Sequence, residues 1–208
     1  MMKKETAVQE QKTAVPEQKI TVQKICLVGL MAAVVYVTSA FVQIPIPTAI
    51  GNTRLHMGNV MCLLSGFLLG PLWGGLAAGI GSAFFDLTNP AYLSSAPFTF
   101  LFKFLMAWIC GLLYAKRKGR AVPRSFLAAA LGALSYVLLY LSKSFLESYL
   151  FLQLPYEAVI LSVSQKAAVS ASNAVIAVAA AVPLSLAIRP ALTRIMAQTD
   201  ARRNSKAP

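Results

Sequence analysis

The stretch from Met57 to Asp86 reads MGNVMCLLSGFLLGPLWGGLAAGIGSAFFD and is apolar almost throughout. A run of this length can form one long helix or two short ones. Gly70-Pro71 lies at its centre, and proline removes a backbone donor and disfavours helix in the residue before it. We therefore predict a tight turn between two helices of roughly 15 residues, each of which is short for a membrane span.

Four further apolar segments flank this stretch, and each is long enough to cross a bilayer. They lie at 25–42, 97–115, 125–150 and 159–188. Pro183 falls within the last segment, where we expect it to kink or end the helix. Of the 208 residues, 57% are hydrophobic and 12% are charged, whereas a soluble domain carries about 25% charged residues. The predicted fold is an all-α integral membrane protein.

The distribution of basic residues favours one topology. The chain has 19 Lys and Arg against 7 Asp and Glu, and fifteen of the basic residues form three clusters, at 3–24, 116–124 and 189–206. With six spans all three clusters lie on one side, and the cytoplasmic side attracts Lys and Arg. We predict a six-helix bundle with both termini cytoplasmic and with outer loops at 43–56, 87–96 and about 151–158.

The domain organisation follows from the same pattern. The polar start of the chain does not resemble a cleaved secretory signal, so the first helix is expected to stay uncleaved. The predicted parts are a disordered polar tail at 1–24, a six-span membrane domain at 25–188 and a basic cytoplasmic tail at 189–208.

Several function classes are poorly supported. The chain contains no GxxxxGK[ST] phosphate loop, so we expect no ATP hydrolysis by the chain itself. It has one histidine and three cysteines on different predicted helices, which predicts no metal site and no disulfide framework. We find no catalytic constellation within the spans, and we expect neither an enzyme nor a nucleic-acid-binding protein, because the positive charge suits membrane topology.

Polar side chains fall mainly in the outer half of the predicted bundle. A charge in hydrocarbon costs several kcal/mol unless it faces a cavity or another charge, so we predict a pocket that opens to the outside. Its candidate residues come from the first outer loop and from five helices: Arg54, His56, Asn59, Asp86, Asn89, Lys103, Lys143, Glu147, Gln165, Lys166 and Asn173. Three alternatives stay open: lysines that extend to headgroups, an intrahelical Lys143–Glu147 pair, and an Asx turn at Asn89.

Two segments carry a family resemblance. GNTRLHMGNVMCLLSGFLLGPLWGGLAAGIGSAFFDLTNP and the following SAPFTFLFKFLMAWICG resemble the substrate-binding S components of energy-coupling factor (ECF) transporters, and the likeness covers about residues 25–188. It implies a six-helix bundle with cytoplasmic termini that binds a vitamin or related micronutrient at the outer face, under the first outer loop as a lid.

The resemblance also implies partners. S components dock on a membrane coupling subunit that two ATPase subunits drive, so ATP is used by the partners and this chain needs no cofactor. An AxxxA-type motif on the first helix mediates docking in the family. The matching positions here are Gly29 and Ala33, with Ala32 beside them and Val37 in place of the next alanine.

Two other function classes remain as alternatives. The first is a stand-alone secondary carrier that uses Lys143–Glu147 or Asp86 as a proton relay. The second, which fewer residues support, is a membrane enzyme or assembly factor.

Overall fold

The structure, a computed structural model, describes residues 22–115 and 122–204. In these two ranges the chain forms six α-helices and one two-stranded antiparallel sheet. The elements are α1 Val22–Phe41, β1 Gln43–Pro47, β2 Asn52–His56, α2 Gly58–Leu69, α3 Pro71–Thr88, α4 Ala96–Ala115, α5 Val122–Leu146 and α6 Tyr156–Asn204. A 3₁₀ turn at Leu93–Ser95 precedes α4, and a π-helical turn at Glu147–Phe151 follows α5.

Four of the described helical segments are long and apolar enough to cross a membrane. They are Val22–Phe41, Leu93–Ala115, Val122–Phe151 and Tyr156–Leu192. The 12 residues of α2 extend only about 18 Å at 1.5 Å per residue, and the 18 residues of α3 about 27 Å. The all-α membrane fold is thus confirmed, while the six-span topology with cytoplasmic termini stays a prediction. The predicted tail before residue 22 and residues 116–121 of the basic loop predicted at 116–124 lie outside the described residues.

The predicted turn at Gly70-Pro71 is confirmed. Gly70 has φ +80°, a left-handed conformation that glycine adopts without steric cost. Pro71 is the first residue of α3. A backbone N–H at this position has no partner within the helix, so the N–H that proline lacks is not needed there. The backbone N–H of Gly70 donates to the carbonyl of Gly66 at 3.1 Å, so α2 ends within this turn.

The structure adds detail at two predicted boundaries. α6 does not end at Pro183: it continues through Pro183 and Pro190 to Asn204, so the predicted tail from residue 189 starts inside a helix. A proline removes one backbone hydrogen bond from a helix, and a membrane-spanning helix tolerates this loss where neighbouring groups re-satisfy the freed carbonyl. The outer loop predicted at 43–56 contains the β-hairpin, in which Gln43 pairs with His56 and Pro47 with Asn52.

Small residues allow close helix packing, as expected inside a bundle. A Cβ on Gly75 or Gly79 of α3 would lie about 3 Å from the ring of Phe104 or Phe100 of α4. A Cβ on Gly81 would lie 2.3 Å from the carbonyl oxygen of Ala32 in α1. The small residues of α3 therefore serve packing within the bundle.

The apolar core leaves space at one end of the bundle. It includes Leu63, Phe67, Met106, Ala129 and Val182, which lie on the parts of α2, α4, α5 and α6 that are distant from the hairpin. The hairpin end of the same helices carries the polar residues described next.

Candidate functional site

A cavity of about 370 Å³ lies at the hairpin end of the bundle. Its walls come from β2, the end of α3, the 3₁₀ turn, the start of α4, the end of α5 and the first half of α6. This volume falls in the range of about 300–1,000 Å³ that is usual for small-molecule sites.

Lys103 of α4 is a buried cation in the wall of this cavity, with 2% of its surface exposed. Its Nζ donates to Oδ1 of Asn59 and lies 3.6 Å from the centroid of the Tyr136 ring. Asn59, in the first turn of α2, does not itself line the cavity. It therefore positions the lysine, and an amide and an aromatic face solvate the charge.

Arg54 joins the hairpin to the end of α3. Its Nη2 lies 3.0 Å from Oδ1 of Asp86, a carboxylate with only 2% of its side chain exposed. The guanidinium carbon lies 4.0 Å from the ring centroid of Phe85 and 4.3 Å from that of Tyr92. Its second nitrogen, Nη1, is buried without a hydrogen-bond partner among the described residues. Arg54 thus contributes positive charge to the cavity while holding the hairpin in place.

The hairpin is also bound to α6. Oδ1 of Asn173 accepts the backbone N–H of His56 at 2.9 Å, and Nδ2 of the same amide donates to the carbonyl of Arg54 at 2.8 Å. At the hairpin tip, Oε1 of Gln165 accepts the backbone N–H of Ala49 at 2.8 Å. These bonds place the hairpin over the cavity as a cover.

His56 is a neutral residue within this cover. Burial lowers its pKa well below the ordinary value, and the nearby charges of Lys103 and Arg54 lower the pKa further. Its Nδ1 accepts the backbone N–H of Gly58 at 3.2 Å. The imidazole therefore serves as an acceptor that fixes the chain between β2 and α2.

The rim of the cavity carries two lysines and several hydroxyl groups. Nζ of Lys143 lies 2.5 Å from Oε2 of Glu147, one helical turn along, and donates to Oγ of Ser95 at 3.1 Å. Nζ of Lys166 donates to Oγ of Ser144 at 2.9 Å. Lys143 thus connects α5 to the 3₁₀ turn before α4, and Lys166 connects α6 to α5.

The structure brings most of the predicted residues together. The eight that line the cavity are Arg54, His56, Asp86, Lys103, Lys143, Glu147, Lys166 and Asn173. Asn59 and Gln165 do not line the cavity: Asn59 accepts a hydrogen bond from Lys103, and the exposed Gln165 binds the hairpin tip. Asn89 lies at the end of α3, where its Oδ1 accepts the backbone N–H of Ala91 at 3.1 Å, which is the Asx turn considered as an alternative.

Sequence reasoning missed the aromatic and hydroxyl side chains of the wall, which include Tyr92, Phe98, Phe102, Tyr136, Tyr140, Ser144 and Ser148. Such residues more often face lipid or the core, so each one alone carries little information. The spacing of Tyr136, Tyr140 and Ser144 at four-residue intervals on α5 was a usable signal, because residues four apart share a helix face.

The predicted docking residues of α1 divide into two groups. Ala32 has 7% of its surface exposed and packs on Gly81, so it belongs to the interior of the bundle. Gly29 and Ala33 are exposed and line an apolar hollow of about 450 Å³ between α1 and α3.

Among the described residues, no three His, Cys, Asp or Glu side chains are placed to hold a metal ion.

Comparison with known proteins identifies a family and a relative. The profile described as the ECF-type riboflavin transporter, S component, matches residues 19–190. A protein of Pyrococcus woesei, described as an uncharacterized protein in the gap 3′ region, is 37% identical over 111 residues, which cover 53% of this chain and 71% of that relative.

Proposed function

This chain belongs to the family of ECF-type riboflavin transporter S components, and from that membership we propose that it captures a riboflavin-like vitamin at the outer membrane face. The chain is a substrate-specific transporter subunit and a multi-pass protein of the plasma membrane. The family is one of transport subunits and not of enzymes.

The observation that carries the proposal is the covered cavity at the hairpin end. Tyr136, Tyr140 and Phe102 in its wall offer faces on which a planar heteroaromatic ring can stack. Ser144 and Ser148 on the same wall offer hydrogen bonds to the hydroxyl groups of a sugar-alcohol chain. A flavin carries both kinds of group, and the combination supports riboflavin over a purely apolar or purely ionic ligand.

We further propose that uptake depends on partners. The chain would dock on a membrane coupling subunit, and two ATPase subunits would hydrolyse the ATP. In this arrangement the lipid bilayer surrounds the bundle, and the hairpin opens to admit the vitamin from outside the cell.

Binding by the purified chain tests the proposed ligand. We expect riboflavin to co-purify with the full chain in detergent, as identified by mass spectrometry, and to rebind with quenching of flavin fluorescence. Replacing Lys103 by Ala leaves Asn59 and Tyr136 without their cation, so we expect riboflavin affinity to fall about tenfold or more. Arg124→Gln, an exposed position at the opposite end of α5, is the matched control. If no vitamin binds at micromolar concentration and Lys103→Ala transports normally, the proposal is wrong.

A further inference from the structure

The charges around the cavity do not balance. Four cationic side chains and two carboxylates line it: Arg54, Lys103, Lys143 and Lys166, with Asp86 and Glu147. His56, the remaining ionisable side chain of the cover, is neutral because burial lowers its pKa. The cavity wall therefore carries an excess of two positive charges.

The excess resides on two particular lysines. Arg54 pairs with Asp86 and Lys143 pairs with Glu147. Among the described residues, no carboxylate lies within ion-pair distance of Lys103 or Lys166. Lys103 is enclosed by Asn59 and Tyr136. Within residues 22–115 and 122–204, the hydrogen-bond partner of Lys166 is the hydroxyl of Ser144. An ammonium group with neutral partners in a site of low dielectric binds an anion strongly.

Lys166 lies in the same cavity wall as a second lysine and two serine hydroxyl groups. We define the rim cluster as Lys143, Lys166, Ser95 and Ser144, which form two hydrogen-bonded pairs: Lys143 with Ser95 at 3.1 Å and Lys166 with Ser144 at 2.9 Å. Lys166 also lies close enough to interact electrostatically with both Lys143 and Glu147. Two ammonium groups and two hydroxyls can all donate to the oxygens of one tetrahedral anion.

We propose that the rim cluster binds a phosphate monoester, so that this chain prefers riboflavin 5′-phosphate to riboflavin itself. This inference rests on the proposed function, which supplies the flavin. The ring would stack on the aromatic wall formed by Tyr136 and Phe102, and the ester end would reach Lys143 and Lys166 at the rim. A phosphate monoester carries about −1.5 to −2 charges at pH 7, which offsets the excess of the wall, whereas uncharged riboflavin leaves that excess unchanged.

The dissociation constants of the two flavins test the preference. The full chain is placed in nanodiscs of uncharged lipid, and each flavin is titrated by fluorescence quenching at low and high salt. We expect the ester to bind about tenfold or more tightly than riboflavin at low salt, and we expect this ratio to shrink as salt screens the partly exposed rim.

Two substitutions at the rim move the ester affinity in opposite directions. Lys166→Gln keeps a hydrogen-bonding side chain beside Ser144 but removes the charge, so ester affinity should fall about tenfold and the ratio of ester affinity to riboflavin affinity should fall with it. Glu147→Gln removes a carboxylate that is 47% exposed and competes for Lys143, so ester affinity should rise by about threefold. A folding defect lowers both affinities and cannot produce that gain. Arg124→Gln should leave the ratio of the two constants unchanged.

The outcomes separate the two proposals. If riboflavin binds as tightly as its ester, or if Glu147→Gln leaves the ester affinity unchanged, the phosphate preference is wrong and the proposed vitamin capture stands. If neither flavin binds to the unaltered chain, both proposals are wrong. If Lys166→Gln binds neither flavin, the affinity ratio of the unaltered chain and the gain in Glu147→Gln decide the matter.

Discussion

Arg54 combines two kinds of contact at a single position. Its ion pair with Asp86 neutralises a carboxylate that is 2% exposed, and its stacking between Phe85 and Tyr92 adds cation–π contacts of about 0.5–2 kcal/mol each. Removing either charge leaves the other buried without compensation, which costs more than the pair contributes. The ion pair and the ring contacts together explain how the charge of Arg54 is accommodated beside Phe85 and Tyr92.

His56 makes the stability of the cover dependent on pH. The folded chain keeps its imidazole neutral, because burial and the charges of Lys103 and Arg54 lower its pKa. In an unfolded chain the same group binds a proton near pH 6.5. The unfolded state then binds more protons than the folded state, so the free energy of unfolding falls as the pH drops below about 6.5.

Thermal unfolding between pH 7.5 and 5.5 measures this dependence. Below pH 6.5 we expect His56 to contribute a slope of at most about 1.4 kcal/mol per pH unit. The His56→Asn variant keeps an acceptor for the N–H of Gly58 but cannot titrate, so its unfolding temperature should change less over the same range. Equal slopes for both proteins would show that other groups account for the pH dependence.

Elements with long apolar runs could be predicted from the sequence, and the hairpin could not. The helices on either side of Gly70-Pro71 could be predicted because their residues are apolar almost throughout and because a proline separates them. Both features are local in the sequence. The hairpin at 43–56 has two prolines in one strand, and its strands of five residues are stabilised by contacts with α3 and α6. Such long-range contacts leave no periodic pattern in the sequence. Gly51, with φ +71°, is its one local signal, since a turn needs this conformation there.

The hairpin depends on Asn173, and this dependence can be measured. Replacing Asn173 by Ala removes the partner of the backbone N–H of His56 and of the carbonyl of Arg54. An unsatisfied buried polar group costs about 1–3 kcal/mol, so the closed hairpin becomes less stable and flavin should dissociate about tenfold faster or more. Stopped-flow release of flavin fluorescence measures the rate. Ser172→Ala, whose hydroxyl bonds only within α6 among the described contacts, should release flavin at the normal rate; equal rates in the two variants would argue against the hairpin as a lid.

Helix packing gives a matched pair of glycine substitutions. A methyl group on Gly81 would lie 2.3 Å from the carbonyl of Ala32, whereas a methyl group on Gly29 meets nothing within 4 Å. Overpacking costs about 1–3 kcal/mol, so Gly81→Ala should lower the unfolding temperature in detergent. Gly29→Ala should not, because the same change there enters open space. A similar loss in both variants would show that alanine acts on the helices themselves and not on their packing.

At the scale of the molecule, the candidate site was easier to predict than its exact lining. Charges such as Lys103 are costly in a membrane, so their place in the sequence points to a cavity. Whether a residue faces the cavity or supports its wall depends on side-chain direction, which spacing alone did not determine for Asn59 or Gln165. The aromatic lining is invisible to a search for charge, because Tyr136 is equally suited to a core.

The outer face of α1 bears on how the whole molecule works with partners. Gly29 and Ala33 are exposed and lie four residues apart, which gives a surface where another helix can approach closely. A leucine at Ala33 would hold that helix away without entering the cavity, because α1 lines the cavity at Ser39 and not at Ala33. We expect Ala33→Leu to bind flavin normally and to lose ATP-dependent uptake in cells. Ala130→Leu, at an exposed alanine of α5, should retain uptake. Uptake by Ala33→Leu would exclude this face as the coupling surface, and uptake that follows a proton gradient without ATPase subunits would favour a stand-alone carrier.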